Sequence, residues 1–146
     1  YKITKNAIDA LDFISYQCYG PAVMRYPYDQ FVKDAEMAVE YGIPADKLVL
    51  GVPFIGTTGV SGEQVSYYDL VNQGGLKDIT LDEFTYNGKE YTFNGQKTIR
   101  KKAKYACEGG YRGIMSWGSD LPISDTKSLL KAIQEEFTSY EVSNPE

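Results

Sequence analysis

Three apolar runs set the limits on what this chain can become: residues 11–20 (LDFISYQCYG), 47–56 (KLVLGVPFIG) and 113–120 (GIMSWGSD). Each is apolar enough to be buried on both faces, which marks strands of a sheet covered on both sides. Two helix-patterned stretches and one polar, glycine-rich segment separate them. Parallel strands need long crossovers, usually helical, and such crossovers are right-handed almost without exception. The order therefore predicts consecutive β/α units and an α/β fold. Each run ends in Gly, Tyr, Trp or small residues, where a barrel enzyme places its substrate-facing groups.

The first run alternates, with Phe13, Ser15, Gln17 and Tyr19 on one face and Ile14, Tyr16 and Cys18 on the other. A face of Ser, Gln and Tyr is odd for a core strand and suits the inside of a barrel near its open end. Residues 1–10 read as a helix end or loop. Tyr28, Phe31, Val32, Ala35, Ala38 and Val39 form one helical stripe, stopped by Gly42 and Pro44. A second helix over 96–108 turns Ile99, Ala103, Ala106 and Cys107 inward and closes at Gly109-Gly110. Ser124 or Asp125 is expected to cap a final helix whose inward residues are Leu129, Leu130, Ile133 and Phe137, and the polar tail 138–146 is expected to fray.

Between about 57 and 96 the rhythm breaks. Glycines are frequent there, a short helix is expected at 67–71, and Asn87-Gly88 is flanked by Phe84, Tyr86, Tyr91 and Phe93. That pattern is a two-residue hairpin signal, because both turn residues must accept positive φ. The segment reads as a small α+β insertion, either a cleft wall or a surface excursion without a role.

With 146 residues, 42% of them hydrophobic, the chain has material for one core and not for two. Its 20 acidic against 15 basic residues, net charge −5, argue against nucleic acid and anionic membrane as partners. The longest basic run, Arg100-Lys101-Lys102, interrupts a helical pattern, and no stretch has the length of a membrane span. Histidine is absent, which excludes Ser/His/Asp and Cys/His catalysis and every His-ligated metal site in this chain. Any chemistry falls to carboxylates or phenols. Cys18 and Cys107 lie inside regular elements and read as buried thiols. The 13 tyrosines offer flat apolar faces with polar tips, which suit sugar rings, although ordinary packing explains most of them. Tyr1 has neither an initiator Met nor a leader before it, so the start reads as a cut.

In this order the runs resemble the last three strands of the (β/α)₈ barrel of family 18 glycoside hydrolases, the chitinase family. LDFISYQCYG is similar to the sixth strand, KLVLGVPFIG to the seventh and RGIMSWG to the eighth, and an α+β insertion after the seventh is common in the family. The resemblance covers nearly the whole chain. It implies a partial TIM barrel with a small α+β insertion and a hydrolase of β-1,4-linked N-acetylglucosamine glycans, either a chitinase or an endo-β-N-acetylglucosaminidase that cuts N-glycan cores. The implied reaction is substrate-assisted and retaining: a carboxylic acid protonates the glycosidic oxygen while the sugar's 2-acetamido group attacks the anomeric carbon. No cofactor or metal is implied.

By motif position, Tyr19 corresponds to the tyrosine that holds the acetamido oxygen, and Trp117 to the indole beneath the sugar in the cleaving subsite. Gln17 and Met115 are inward neighbours that the resemblance places against substrate, and both also read as barrel filling. Gly20 stands where many members carry Asp or Asn, and Ile55 and Thr57 where an aromatic and an arginine often line the cleft. The DxxDxDxE motif, whose Glu is the acid, is absent from this chain. Asp12, Asp82, Glu83, Asp120 and Asp125 read as surface or capping groups and cannot replace it. The expectation is a piece of a longer secreted, periplasmic or cell-surface hydrolase, inactive alone. Its open strand edges would pair with the missing barrel half or with another copy. A chitinase-like lectin that binds sugar without cleaving it is the alternative, and a stand-alone oligomerising domain the third reading.

Overall fold

The structure is a computed structural model that describes residues 3–59, 62–120 and 123–145. Tyr1, where the sequence reads as cut, lies outside the described residues. Helix α1 (Lys5–Ala10) leads into strand β1 (Ile14–Gln17), helix α2 (Tyr28–Glu40) and strand β2 (Leu48–Pro53). Then come β3 (Ile55–Thr57), β4 (Gln64–Ser66), α3 (Tyr67–Asn72), β5 (Glu83–Tyr86) and β6 (Lys89–Thr92). Helix α4 (Gln96–Glu108), strand β7 (Gly113–Trp117) and helix α5 (Leu129–Ser143) complete the chain.

The three apolar runs form one parallel sheet in the order β1-β2-β7. Strand β2 is central, and its side chains explain its composition: Leu48, Leu50 and Val52 are all buried, as is Phe54 just after it. They pack with Phe31, Ala35 and Ala38 of α2, Ile99, Ala103 and Ala106 of α4, and Leu129, Ala132 and Ile133 of α5. Burying such a Leu or Phe is worth about 1.5–3 kcal/mol. This helix-covered layer is the core. On β1 the predicted alternation is present, with Ser15 and Gln17 exposed and Ile14 and Tyr16 half-buried. Cys18 and Cys107 are buried free thiols, as expected.

Helices α2 and α4 end in the same way. Gly42 (φ 108°) and Gly110 (φ 66°) take the left-handed conformation that a side chain resists. Ile43 N–H then reaches the Ala38 carbonyl at 3.2 Å, and Tyr111 N–H the Ala106 carbonyl at 3.0 Å. Helix α4 spans Gln96–Glu108 as expected and carries Arg100-Lys101-Lys102 within it. Helix α5 departs from expectation. Its cap is Ser128, which accepts from Lys131 N–H at 3.0 Å, rather than Ser124 or Asp125. Leu130 is exposed, and Ala132 joins Leu129 and Ile133 in the core, an i, i+3, i+4 stripe that turns Leu130 outward. Its hydrogen bonding continues to Ser143, so the polar residues from Thr138 onward extend the helix before the chain leaves it.

The segment after β2 is a second, antiparallel sheet in the order β4-β3-β6-β5. It begins at Ile55, just ahead of the expected boundary, so β3 continues the line of β2 across Phe54. The β5–β6 turn is the predicted Asn87-Gly88 hairpin, with φ of 50° and 74°. Tyr67, Leu70, Val71, Leu76, Tyr91 and Phe93 are buried in the core that the parallel sheet uses. The segment therefore shares its packing with the parallel sheet.

Candidate functional site

Register fixes which side chains share the uncovered face of the parallel sheet. Gln17, Gly51 and Met115 lie in one row across β1, β2 and β7, and Pro53 stands beside Trp117 two residues further on. Gly51 is the centre of this arrangement. A Cβ there would stand 3.0 Å from Cε1 of Tyr19, 3.1 Å from Cε of Met115 and 3.0 Å from the Tyr16 carbonyl oxygen. The missing side chain is what lets the Tyr19 ring and the Met115 methyl close over the middle strand. Tyr19, Gln17 and Met115 are thus brought together, and Trp117 lies on the same face beyond Met115.

Trp117 is 54% exposed, although the indole is among the costliest side chains to leave in water. Its carbonyl accepts from Phe54 N–H at 2.8 Å, which fixes the backbone beneath the ring. Tyr19 is 8% exposed. Gln17 Nε2 donates to its Oη at 3.2 Å, so the phenolic proton remains free to be donated elsewhere. Burial raises the Tyr19 pKa above its ordinary value, and the Gln17 bond only partly opposes this. Tyr19 is therefore a neutral donor at physiological pH.

The loop from β1 to α2 carries Tyr19 into α2 and is held at four places. Thr57 Oγ1 donates to the Pro21 carbonyl at 3.0 Å, and Val23 N–H to the Gly59 carbonyl at 2.9 Å. Arg25 Nη2 pairs with Asp34 Oδ2 at 2.7 Å, while Gln30 Nε2 donates to Asp34 Oδ1 at 2.8 Å. The Tyr26 carbonyl accepts from Lys102 Nζ at 2.8 Å and from Asn94 Nδ2 at 3.0 Å. Two residues noted as departures take on roles here. A Cβ on Gly20 would lie 3.3 Å from Cγ of Arg25, so the arginine stem occupies the place of a larger residue. Thr57 is wholly buried, and its hydroxyl is committed to the loop.

The carboxylates behave as capping and surface groups. Asp82 accepts from Gly95 N–H at 2.8 Å and Thr98 Oγ1 at 2.6 Å at the start of α4. Buried Asp120 accepts from the Leu129 and Leu130 amides at the start of α5. Asp12, Glu83 and Asp125 are exposed. Among the described residues no cluster of three acidic or cysteine side chains could hold a metal, and no helix is long and apolar enough to cross a membrane.

Gly51, Tyr26, Asn94 and Lys102 escaped the sequence reading. For Gly51 a signal existed, since an isolated glycine inside an apolar strand marks a close approach. Lys102 carried the opposite signal, because a basic triplet reads as a solvated helix face.

No family model matches the chain. A curated relative from Margaritifera margaritifera, named "Putative chitinase 1", is 29% identical over 112 residues, 60% of this chain and 24% of the relative. The GH18 chitinase ChiB from the chitin utilization locus of Flavobacterium johnsoniae superposes with a TM-score of 0.77 at 28% identity. The match takes in 95% of this chain and 46% of that one. A chitinase from Bacteroides thetaiotaomicron gives 0.72 at 25% identity, over 89% and 46% of the two chains. The chain folds as part of a chitinase-like family 18 glycoside hydrolase barrel. It spans under half the length of the two solved chitinases. The parallel sheet β1-β2-β7 is the sixth, seventh and eighth strands of that barrel, with the antiparallel sheet following the seventh.

Proposed function

We propose that this family 18 portion supplies the acetamide-holding and stacking side of a saccharide site in a hydrolase of β-1,4-linked N-acetylglucosamine glycans. The observation that carries the reading is the closure of Tyr19 and Met115 over Gly51, with the exposed Trp117 beyond them on the same face. The indole offers a flat apolar surface to the C–H face of a sugar. Tyr19, with Gln17 already bonded to its oxygen, has its proton available for the acetamido carbonyl. That carbonyl oxygen must attack the anomeric carbon along a defined line, and a donor fixed beforehand holds it there, so Tyr19 acts by orienting the nucleophile while positive charge builds on the acetamido group. The proton for the glycosidic oxygen comes from a carboxylic acid in the remainder of the barrel, and water then opens the oxazolinium with retention. The 146-residue chain alone is inactive in this account, and the full protein works at the cell surface or outside it.

The test uses the full-length protein on N-acetylglucosamine oligomers, with the product anomer followed by NMR. Tyr19→Phe is expected to lower kcat roughly 100-fold, the scale for misplacing a reacting group. Trp117→Ala is expected to raise KM for the oligomers. Equal cleavage by Tyr19→Phe and the parent ends this assignment. The departures at Gly20, Ile55 and Thr57 favour a second reading, a chitinase-like lectin. That protein would bind the same oligomers, lose affinity in Trp117→Ala, and release no reducing ends.

A further inference from the structure

Three charged side chains are buried among the described residues: Asp34, Asp120 and Lys102. Asp34 is paired with Arg25, and Asp120 caps α5. Lys102 is different, because the two acceptors of its ammonium are both neutral: the Tyr26 carbonyl at 2.8 Å and Asn94 Oδ1 at 2.7 Å. The ammonium also lies 5.1 Å from the centre of the Phe31 ring. A buried cation without a carboxylate partner is costly to keep, and an apolar side chain of the same length would fill the space. What the cation does hold is one carbonyl. That carbonyl ends the loop between Tyr19 and α2, and Asn94 grips it as well.

Tyr26 itself joins this point to the candidate site. Its ring is 1% exposed, and its hydroxyl has no hydrogen-bond partner among the described residues. Burial first, and then the neighbouring Tyr19 phenol, push its pKa up to about 12. The loop that the Tyr26 carbonyl ends runs directly on from Tyr19 and is tied down between them at Pro21, Val23 and Arg25. We infer that Lys102 is a positioning residue: from α4 it fixes Tyr26, and through Tyr26 it sets how Tyr19 lies over Gly51. This rests on the reading of Tyr19 as the saccharide contact. Burial lowers the Lys102 pKa to about 8, against the pull of Asp82, Cys18 and Asp34. The ammonium form therefore prevails at neutral pH, with a donor for each acceptor.

The experiment is made on the full-length protein with Lys102→Met, Tyr19→Phe and the double variant. Two readouts are taken: amide hydrogen exchange across residues 19–26, and hydrolysis of an N-acetylglucosamine oligomer, or affinity for it where the protein binds without cleaving. Lys102→Met is expected to speed exchange in 19–26 at least tenfold while β7 and α5 stay protected. It is expected to cost about tenfold in hydrolysis or affinity, and to cost nothing further once Tyr19 is Phe. A purely structural lysine would instead lower both backgrounds by the same factor, and that result overturns the inference. Exchange in 19–26 that stays at the parent rate overturns it too. If Lys102→Met does not fold, Asn94→Ala is read in its place, with the same segment loosening and the same loss of additivity expected. Loosening of 19–26 together with an inert Tyr19→Phe supports the coupling while removing Tyr19 from the sugar site, so the two readings fail separately.

Discussion

The two sheets of this molecule solve opposite problems. The parallel sheet joins strands far apart in sequence, leaves β1 and β7 as open edges, and turns one face away from the helices. The antiparallel sheet closes locally through a tight hairpin and one short helix, and sends its apolar residues into the core of its neighbour. The lesson is a division of labour. The parallel sheet presents the candidate chemistry, while the insertion, with α4, holds the loop that aims it. Thr57, Gly59 and Asn94 all bond to that loop from the insertion or its end.

The comparison breaks most readily at β2. Leu50→Ala in the full-length protein is expected to cost about 2–5 kcal/mol by urea unfolding, because it empties the layer where helices and both sheets meet. A loss below 1 kcal/mol would mean that the shared core is looser than its burial indicates. Next in size is a pH effect. The buried Lys102 titrates near 8 instead of 10.5, so between these values the unfolded chain binds a proton that the folded chain lacks. Its contribution therefore makes stability rise with pH across that window, by on the order of 3 kcal/mol. The check is the stability of the parent minus that of Lys102→Met from pH 7 to 10. A flat difference would place Lys102 outside the buried cluster.

Gly51→Ala sharpens the comparison at the candidate site. The new methyl would meet Tyr19, Met115 and a backbone carbonyl at 3.0–3.1 Å. An expected loss of about 1–3 kcal/mol should come with weakened oligomer binding, measured by calorimetry. Unchanged binding would separate the closure over Gly51 from function. The smallest effect belongs to the insertion. Gly88→Ala puts a side chain at φ 74° in the hairpin and should cost about 1 kcal/mol with no change in oligomer affinity. A change in affinity would show that the hairpin is part of the site.

Much of this was legible because local chemistry and tertiary demand agreed. The stripe of Ile99, Ala103 and Ala106 with Gly109-Gly110 behind it located α4, and Asn87-Gly88 located the hairpin. The cap of α5 was ambiguous, since Ser124, Asp125 and Ser128 are all good capping residues. What singles out Ser128 is Asp120, which reaches the Leu129 and Leu130 amides from nine and ten residues away, a contact that no local pattern encodes. In the candidate site, Tyr19 and Trp117 were visible through their places in the motifs. The support beneath them was hidden, because Lys102 looks like a solvated residue until the loop after β1 and Asn94 are folded around it.

The continuity of β2 with β3 across Phe54 bears on how such a protein could be cut down or diversified. Tyr67 N–H bonds to the Phe54 carbonyl at 2.9 Å, and Tyr67 Oη donates to the Lys127 carbonyl at 3.1 Å. The inserted segment is therefore stitched to the barrel at both its root and its flank, and it is not a detachable cassette. Excising it would strip Tyr67, Leu70 and Phe93 from the interior, so shorter descendants of this lineage would have to refill that space before they could lose the wall.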